Sequence, residues 1–361
     1  MEATREIVHV EKASIGTTQL NDQPLPPLAQ GSVRLKVESF AVTANNVTYA
    51  VIGDMFGYWN FFPTGVEGQG VVPMWGHAVV EASNHPDIAV GERVYGYLPM
   101  ATHLDVAPGN VSAGQFTDTT DYRQPMSVFY NQYSRLNADP EHDPAREAQR
   151  MIFGPLFKTG FLIEAMMRRE GWFGATQVVM TSASSKTSMA LASVAKAKSP
   201  DVKRVGLTSA GNVAFVEQTG LYDSVVAYGD IASLAATPSV SVDFAGNAGV
   251  LRAVHETLGD ALKYSCTVGV THIGARSSSS DPLPGPTPVL FFAPDHATAT
   301  VKELGPRGFG EAVAESWKAF VEQTDGVVQV QERNGLSAAV DAFVATVKGE
   351  ADPAVGYVVR P

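Results

Sequence analysis

The chain has a single cysteine, Cys266, among its 361 residues. One thiol excludes an internal disulfide, and it also excludes any cysteine-built zinc lobe. Apolar runs are short: none reaches the ~20 residues that span a bilayer, and the opening MEATREIVHVEKAS holds no apolar core of leader length. Positive charge is scarce, with 26 Lys and Arg against 37 Asp and Glu and a net charge of −11. That balance argues against nucleic acid or an anionic membrane as partner, since both require a surplus of Lys and Arg. No G-x-S-x-G elbow is present, so acyl transfer has no local support. The expectation is a soluble, cytoplasmic protein acting on a small molecule.

Apolar residues make up 45% of the chain and charged residues 17%, enough to build more than one core at this length. Ser32–Phe40 alternates apolar and polar residues and predicts a half-buried strand. Val71–Ala82 predicts another, with Gly76 allowing a bend, and the aromatic stretch Phe56–Phe62 suits either a core or a pocket wall. From Ala145 to Arg169 the pattern predicts helices interrupted at Gly154 and Pro155. Between Gly174 and Gly274 short apolar strands alternate with helices, which implies a parallel, doubly wound α/β sheet. A polar, Pro-rich loop, Ser277–Pro288, follows.

The first strand of this alternating region, ending at Thr181, runs into Ser182-Ala183-Ser184-Ser185-Lys186-Thr187. A dinucleotide turn normally uses glycines there, so that backbone can approach a diphosphate at a helix N-terminus. Here hydroxyls and one cation offer themselves to an anion instead; an ordinary helix cap would use the same residue types. The second strand ends Thr208-Ser209-Ala210-Gly211-Asn212, with no acid to bind a ribose 2′-hydroxyl. Thr208, Ser209 and Asn212 can donate to a phosphate, which favours NADP over NAD.

Several motifs together resemble the medium-chain dehydrogenase/reductases, especially their zinc-independent quinone and enoyl reductases. They are LKVESFAVTANNVTYAVIGD, AVVEASNHPDIAVGERVY, FKTGF, VAY at 226–228, VDFAG at 242–246, TVG at 267–269 and the closing GYVV. NNVTYA, YWNFFP, VPMWG and VLFFAP further resemble a functionally uncharacterised branch of that superfamily. The resemblance implies a GroES-like β-rich catalytic domain (1–145 and 289–361) and a Rossmann-like cofactor domain (146–288). It implies NADP(H) as cofactor and reduction of an activated C=C or C=O, with a non-catalytic binding protein of the same fold as the alternative. Thr159 would lie beside the nicotinamide, Tyr228 near the adenosine phosphate, and Ala245, Gly246, Val268 and Gly269 at the ends of later strands. A homodimer through the Rossmann edge, Tyr264–His272, is also implied. The family's glycine-rich turn is SASSKTS here, and a lysine often found after the second strand is Val213.

Hydride chemistry needs a positioned cofactor, a dry pocket and a proton donor. Tyr49 is the candidate donor, since some zinc-free relatives carry a Tyr on the loop after Asn; the alternative is a buried ring packed with Trp59, Phe61 and Phe62. Asn45 and Asn46 would orient nicotinamide or substrate, or simply fix a turn. Gly76-His77-Ala78 lacks the acid of a zinc-binding Gly-His-Glu, so no metal is expected, and Asp139–Asp143 is read as a solvated turn.

Overall fold

The computed structural model describes residues 4–268 and 282–361. They form two compact units, Met1–Ile152 with Val330–Pro361, and Phe153–Gln329.

In the first unit the strands Val355–Arg360, Val33–Val42, Pro73–Ser83, Arg93–Pro99, Gln132–Arg135, Gln115–Asp118 and Pro108–Gly109 lie side by side in that order. All of these pairings are antiparallel. Alternation drives the arrangement: Val33, Leu35 and Val37 turn inward with Met74, Ala78 and Val80 of the neighbouring strand. At Gly76 the two strands approach so closely that a Cβ would lie 2.2 Å from the Ser39 carbonyl oxygen. The bend expected there is a close approach of backbones. The aromatic stretch resolves in favour of core, because Tyr58, Trp59, Phe61 and Phe62 are all buried.

The second unit carries a parallel sheet ordered Ser224–Ala227, Lys203–Thr208, Gln177–Met180, Ser239–Asp243, Leu262–Thr267, Val289–Leu290. Numbered along the chain this is 3-2-1-4-5-6, the doubly wound order expected from the βα alternation. The helices Lys186–Lys198, Val213–Gln218 and Ala248–Leu258 supply the crossovers. Cys266 is fully buried on the fifth strand.

Three expectations need correction. The helix Glu147–Arg169 runs through Gly154 and Pro155 without a break. An interior proline costs about 3 kcal/mol, but Ile152, Phe153, Leu156, Phe157 and Phe161 are buried around it, at ~1.5–3 kcal/mol for each large side chain. The second crossing between units falls at Val330, not 289. The helix Ala293–Gln323 stays with the parallel sheet because Trp317 and Phe320 pack on Phe157, with ring centroids 5.2 and 5.3 Å apart. Finally, Leu262–Thr267 is not the outer strand, since Val289–Leu290 pairs beyond it. Residues 269–272 of the expected edge segment, and 277–281 of the Pro-rich loop, lie outside the described residues.

Candidate functional site

The turn after Gln177–Met180 lies where the strand order reverses, between this strand and Ser239–Asp243. The helix Lys186–Lys198 leaves it, capped by Ser185, whose hydroxyl accepts from the Ser188 N–H. Ser182 has φ 47, a left-handed conformation open to glycine and costly for other residues. The chain thus follows a glycine-type path with serine at the bend, holding on the order of 1 kcal/mol of strain.

Two tyrosines secure that path. The Tyr228 hydroxyl accepts from the Ser182 N–H at 3.0 Å. The Tyr222 hydroxyl donates to the Ala183 carbonyl at 2.8 Å and lies 2.9 Å from Ser188 Oγ. Gly206 on the next strand makes room, since a Cβ there would come within 2.8 Å of Ala183 Cβ and 2.9 Å of the Tyr222 ring. Nothing in the residue types of the turn announced Tyr222; its signal was the small Gly206 opposite a strand-end alanine.

Other donors of the turn are partly committed. The Ala183 N–H bonds Leu207 O, and the Ser185 N–H bonds Ser182 O. The N–H groups of Ser184 and Thr187 have no partner among the described residues. Beside them stand the half-buried side chains of Ser184, Ser185, Lys186 and Thr187. This donor set sits at the N-terminus of a 13-residue helix, whose dipole also favours an anion. The Asn212 amide donates to Ser184 Oγ at 3.3 Å, tying the second strand's end to the turn. Ser209 is exposed there and Gly211 faces open space, while Thr208 is buried.

The fourth strand's end is organised by Asp243, which sequence reading passed over. Thr181 Oγ1 donates to its Oδ1 at 2.5 Å, the Ala245 N–H to the same oxygen at 3.3 Å, and the Gly246 N–H to Oδ2 at 3.1 Å. The Val268 N–H bonds the Asp243 carbonyl. Gly269 lies outside the described residues. Thr159 donates its hydroxyl to Pro155 O at 3.3 Å, within its own helix.

In the first unit Tyr49 lies on a helix, Ala44–Val51, not on a loop. Thr43 caps it, with Asn46 Oδ1 accepting the Thr43 N–H at 2.7 Å and Asn46 Nδ2 donating to Pro73 O at 2.8 Å. The Asn46 amide is thus engaged with backbone at both ends. One turn before Tyr49, Asn45 Nδ2 donates to the phenol oxygen at 2.7 Å, and Trp75 Nε1 donates to it at 3.0 Å. The rings of Tyr58, Tyr97 and Tyr130 surround it, with centroids 4.6, 5.4 and 6.3 Å away. Burial raises the Tyr49 pKa well above that of a free phenol, Tyr58 adds to the rise, and the bonds from Trp75, Asn45 and Tyr97 oppose it. Trp75 and Tyr97 were not foreseen.

His77 is fully buried against Tyr95, and burial pushes it down to about 3, so the imidazole is neutral at ordinary pH. The acidic turn is an ion-pair anchor: Asp139 Oδ2 lies 2.5 Å from Arg150 Nη2, and Asp143 accepts from the Ala145 N–H.

Residues 40–352 match the family described as "Protein of unknown function (DUF2855)". The chain belongs to that family. No curated protein matches it. Among solved structures, this DUF2855 chain is similar to CurA from Vibrio vulnificus in complex with NADPH, at 15% identity over 98% of each chain and a TM-score of 0.62. It is similar to the yhdH oxidoreductase from Salmonella enterica in complex with NADP, at 13% identity over 100% of each chain and a TM-score of 0.56. A mutant enoyl thioester reductase from Candida tropicalis is similar at 12% identity, over 99% of this chain and 100% of that one, with a TM-score of 0.55. The fold, a β-rich antiparallel unit with a doubly wound parallel sheet, is the one these structures share. Among the described residues no helix is long and apolar enough to cross a membrane.

Proposed function

We propose that the protein is an NADPH-dependent oxidoreductase that reduces an activated C=C or C=O bond, of the enone or quinone kind, without a metal. One observation carries this reading: Ser182 keeps the left-handed bend of a glycine turn at a helix N-terminus lined with donors. The residues present fit a diphosphate. Ser184, Ser185, Lys186 and Thr187 would hold it by N–H, hydroxyl and charge. Ser209 and Asn212, beside the open space at Gly211 and on a strand end that carries no acid, suit a 2′-phosphate. Ala245, Gly246 and Val268 would flank the rest of the dinucleotide, with Gly269 following in sequence. That CurA and the yhdH oxidoreductase were crystallised with NADPH and NADP supports the same choice.

When bound, the cofactor supplies a hydride. Tyr49 supplies the proton, and Asn45 and Trp75 keep its phenol in one orientation. Titration calorimetry tests the reading. NADPH should bind more tightly than NADH, and Ser185→Ala with Lys186→Ala should weaken it about tenfold or more. A silent titration with both cofactors sinks the proposal. The Tyr228 hydroxyl on the Ser182 N–H favours a second reading, a non-catalytic binding protein; turnover on a panel of enones and quinones removes it. The remaining attributes of the reading are a cytoplasmic location, a small apolar or planar substrate, and a homodimer through the outer strand of the parallel sheet. Val289 and Leu290 are exposed on that strand.

A further inference from the structure

The phenol oxygen of Tyr49 has two lone pairs, and both are taken, by Asn45 Nδ2 and by Trp75 Nε1. Its own hydrogen has only the neighbouring Tyr97 hydroxyl to turn to. Against Tyr49 lies Tyr97, 0% exposed, whose hydroxyl makes no hydrogen bond of acceptable geometry. A buried hydroxyl without a partner costs about 1–3 kcal/mol. Whichever of the two donates to the other, one buried O–H is left over and calls for an acceptor.

Tyr130 covers the pair. Its ring lies 4.9 Å from that of Tyr97, 5.4 Å from Phe61, 5.6 Å from Tyr58 and 6.2 Å from Trp75. Its hydroxyl bonds that of Tyr58 at 3.0 Å. It is carried by the short turn Val128–Tyr130, whose Val128 and Phe129 are exposed.

We propose that Tyr49 and Tyr97 form a two-donor site for one acceptor oxygen, a carbonyl or the oxyanion it becomes, on a planar substrate that takes the place of the Tyr130 ring. The idea rests on the oxidoreductase reading for its purpose, but the site itself belongs wholly to the first unit. Because both lone pairs of Tyr49 are filled, only the Tyr97 oxygen can accept a donor, so the site favours a carbonyl oxygen, which takes both hydrogens, over its alcohol. In the reaction Tyr97 donates to the substrate oxygen beside Tyr49, where developing negative charge strengthens both bonds.

The test is binding, without cofactor or turnover. 4-Nitrophenolate serves as the oxyanion probe and nitrobenzene as its control without an oxyanion, each measured by absorbance and calorimetry. The Tyr130→Ala variant should bind both more tightly than the parent chain. Adding Tyr97→Phe should weaken 4-nitrophenolate about tenfold, as loss of one hydrogen bond to a charge requires, and leave nitrobenzene unchanged. Equal losses for both probes, or no loss for either, overturn the proposal, and so does a failure of 4-nitrophenolate to bind. Far-UV circular dichroism and thermal melting confirm that the variants fold, and the Phe ring keeps the packing. NADPH titration of the same proteins separates the two ideas, since cofactor binding with unselective probes rejects the donor pair alone.

Discussion

Tyr222 and Tyr228 commit their hydroxyls to backbone, whereas Tyr49 receives two donors and Tyr97 has only Tyr49 to turn to. The same side chain thus does two kinds of work. At the Ser182 turn the phenols complete hydrogen bonds that the fold requires, and any ligand must be met by the groups left over. In the aromatic cluster the phenols are themselves the groups left over. Satisfied polar atoms mark what holds the chain, and unsatisfied buried ones mark where something else belongs.

The sharpest way to break the contrast is to remove the support beneath the cluster. Arg123 is fully buried, pairs with Asp118 at 2.9 Å, and donates to Tyr130 O at 2.7 Å and Asn131 Oδ1 at 3.0 Å. Arg123→Met leaves Asp118 buried and unpaired and should cost about 3–5 kcal/mol in chemical denaturation; a cost below ~1 kcal/mol would show that the turn bearing Tyr130 is not tied down this way. Next in size is Tyr222→Phe, which strands the Ala183 carbonyl and should cost about 1–2 kcal/mol. An unchanged unfolding midpoint would mean that water replaces the phenol.

A smaller effect, of opposite sign, is expected at the bend. Ser182→Gly relieves the left-handed strain and should stabilise by about 0.5–1 kcal/mol, while NADPH affinity holds or rises. Destabilisation would imply that the serine side chain contributes more than its backbone conformation costs.

The smallest effect lies outside both regions and serves as their reference. Burial opposes ionisation of Glu147, but hydrogen bonds from Arg93 and His142 outweigh it and hold the carboxyl at about 2. A depressed carboxyl stabilises the fold at neutral pH, and that contribution fades as pH falls from about 4.5 toward 2. The melting temperature should fall over that window, and Glu147→Gln should flatten the decline. A slope that persists in the variant assigns it to other carboxylates.

The parallel sheet was legible because short apolar runs alternate with helical segments, Thr187–Lys198 carrying small residues. The antiparallel strands were legible by alternation. Where reading failed, the controlling contact was distant in sequence. Pro155 looked like a helix break because its local cost is plain, whereas the burial that offsets it comes from side chains that only the fold brings together. The helix bearing Tyr49 spans only eight residues, too few for its apolar spacing to stand out in the sequence. Its start is set by Thr43 and Asn46, three residues apart, a capping pattern that was present in the sequence and went unread. Of the candidate site, the donors Ser184–Thr187 and the pair Asn45 and Tyr49 were accessible from order along the chain. Tyr97, Trp75 and Tyr222 were not, since each acts through a partner at least 26 residues away.

Cys266 has a practical consequence. Burial, with Asp243 adding to it, pushes its thiol up to about 12, so thiolate is nearly absent at neutral pH and alkylating reagents have nothing to attack. The folded chain behaves chemically as if it had no cysteine. Val128→Cys, on the exposed turn beside Tyr130, would then be the one reactive thiol in the molecule, and a fluorophore attached there would report directly on whether that ring ever leaves its place.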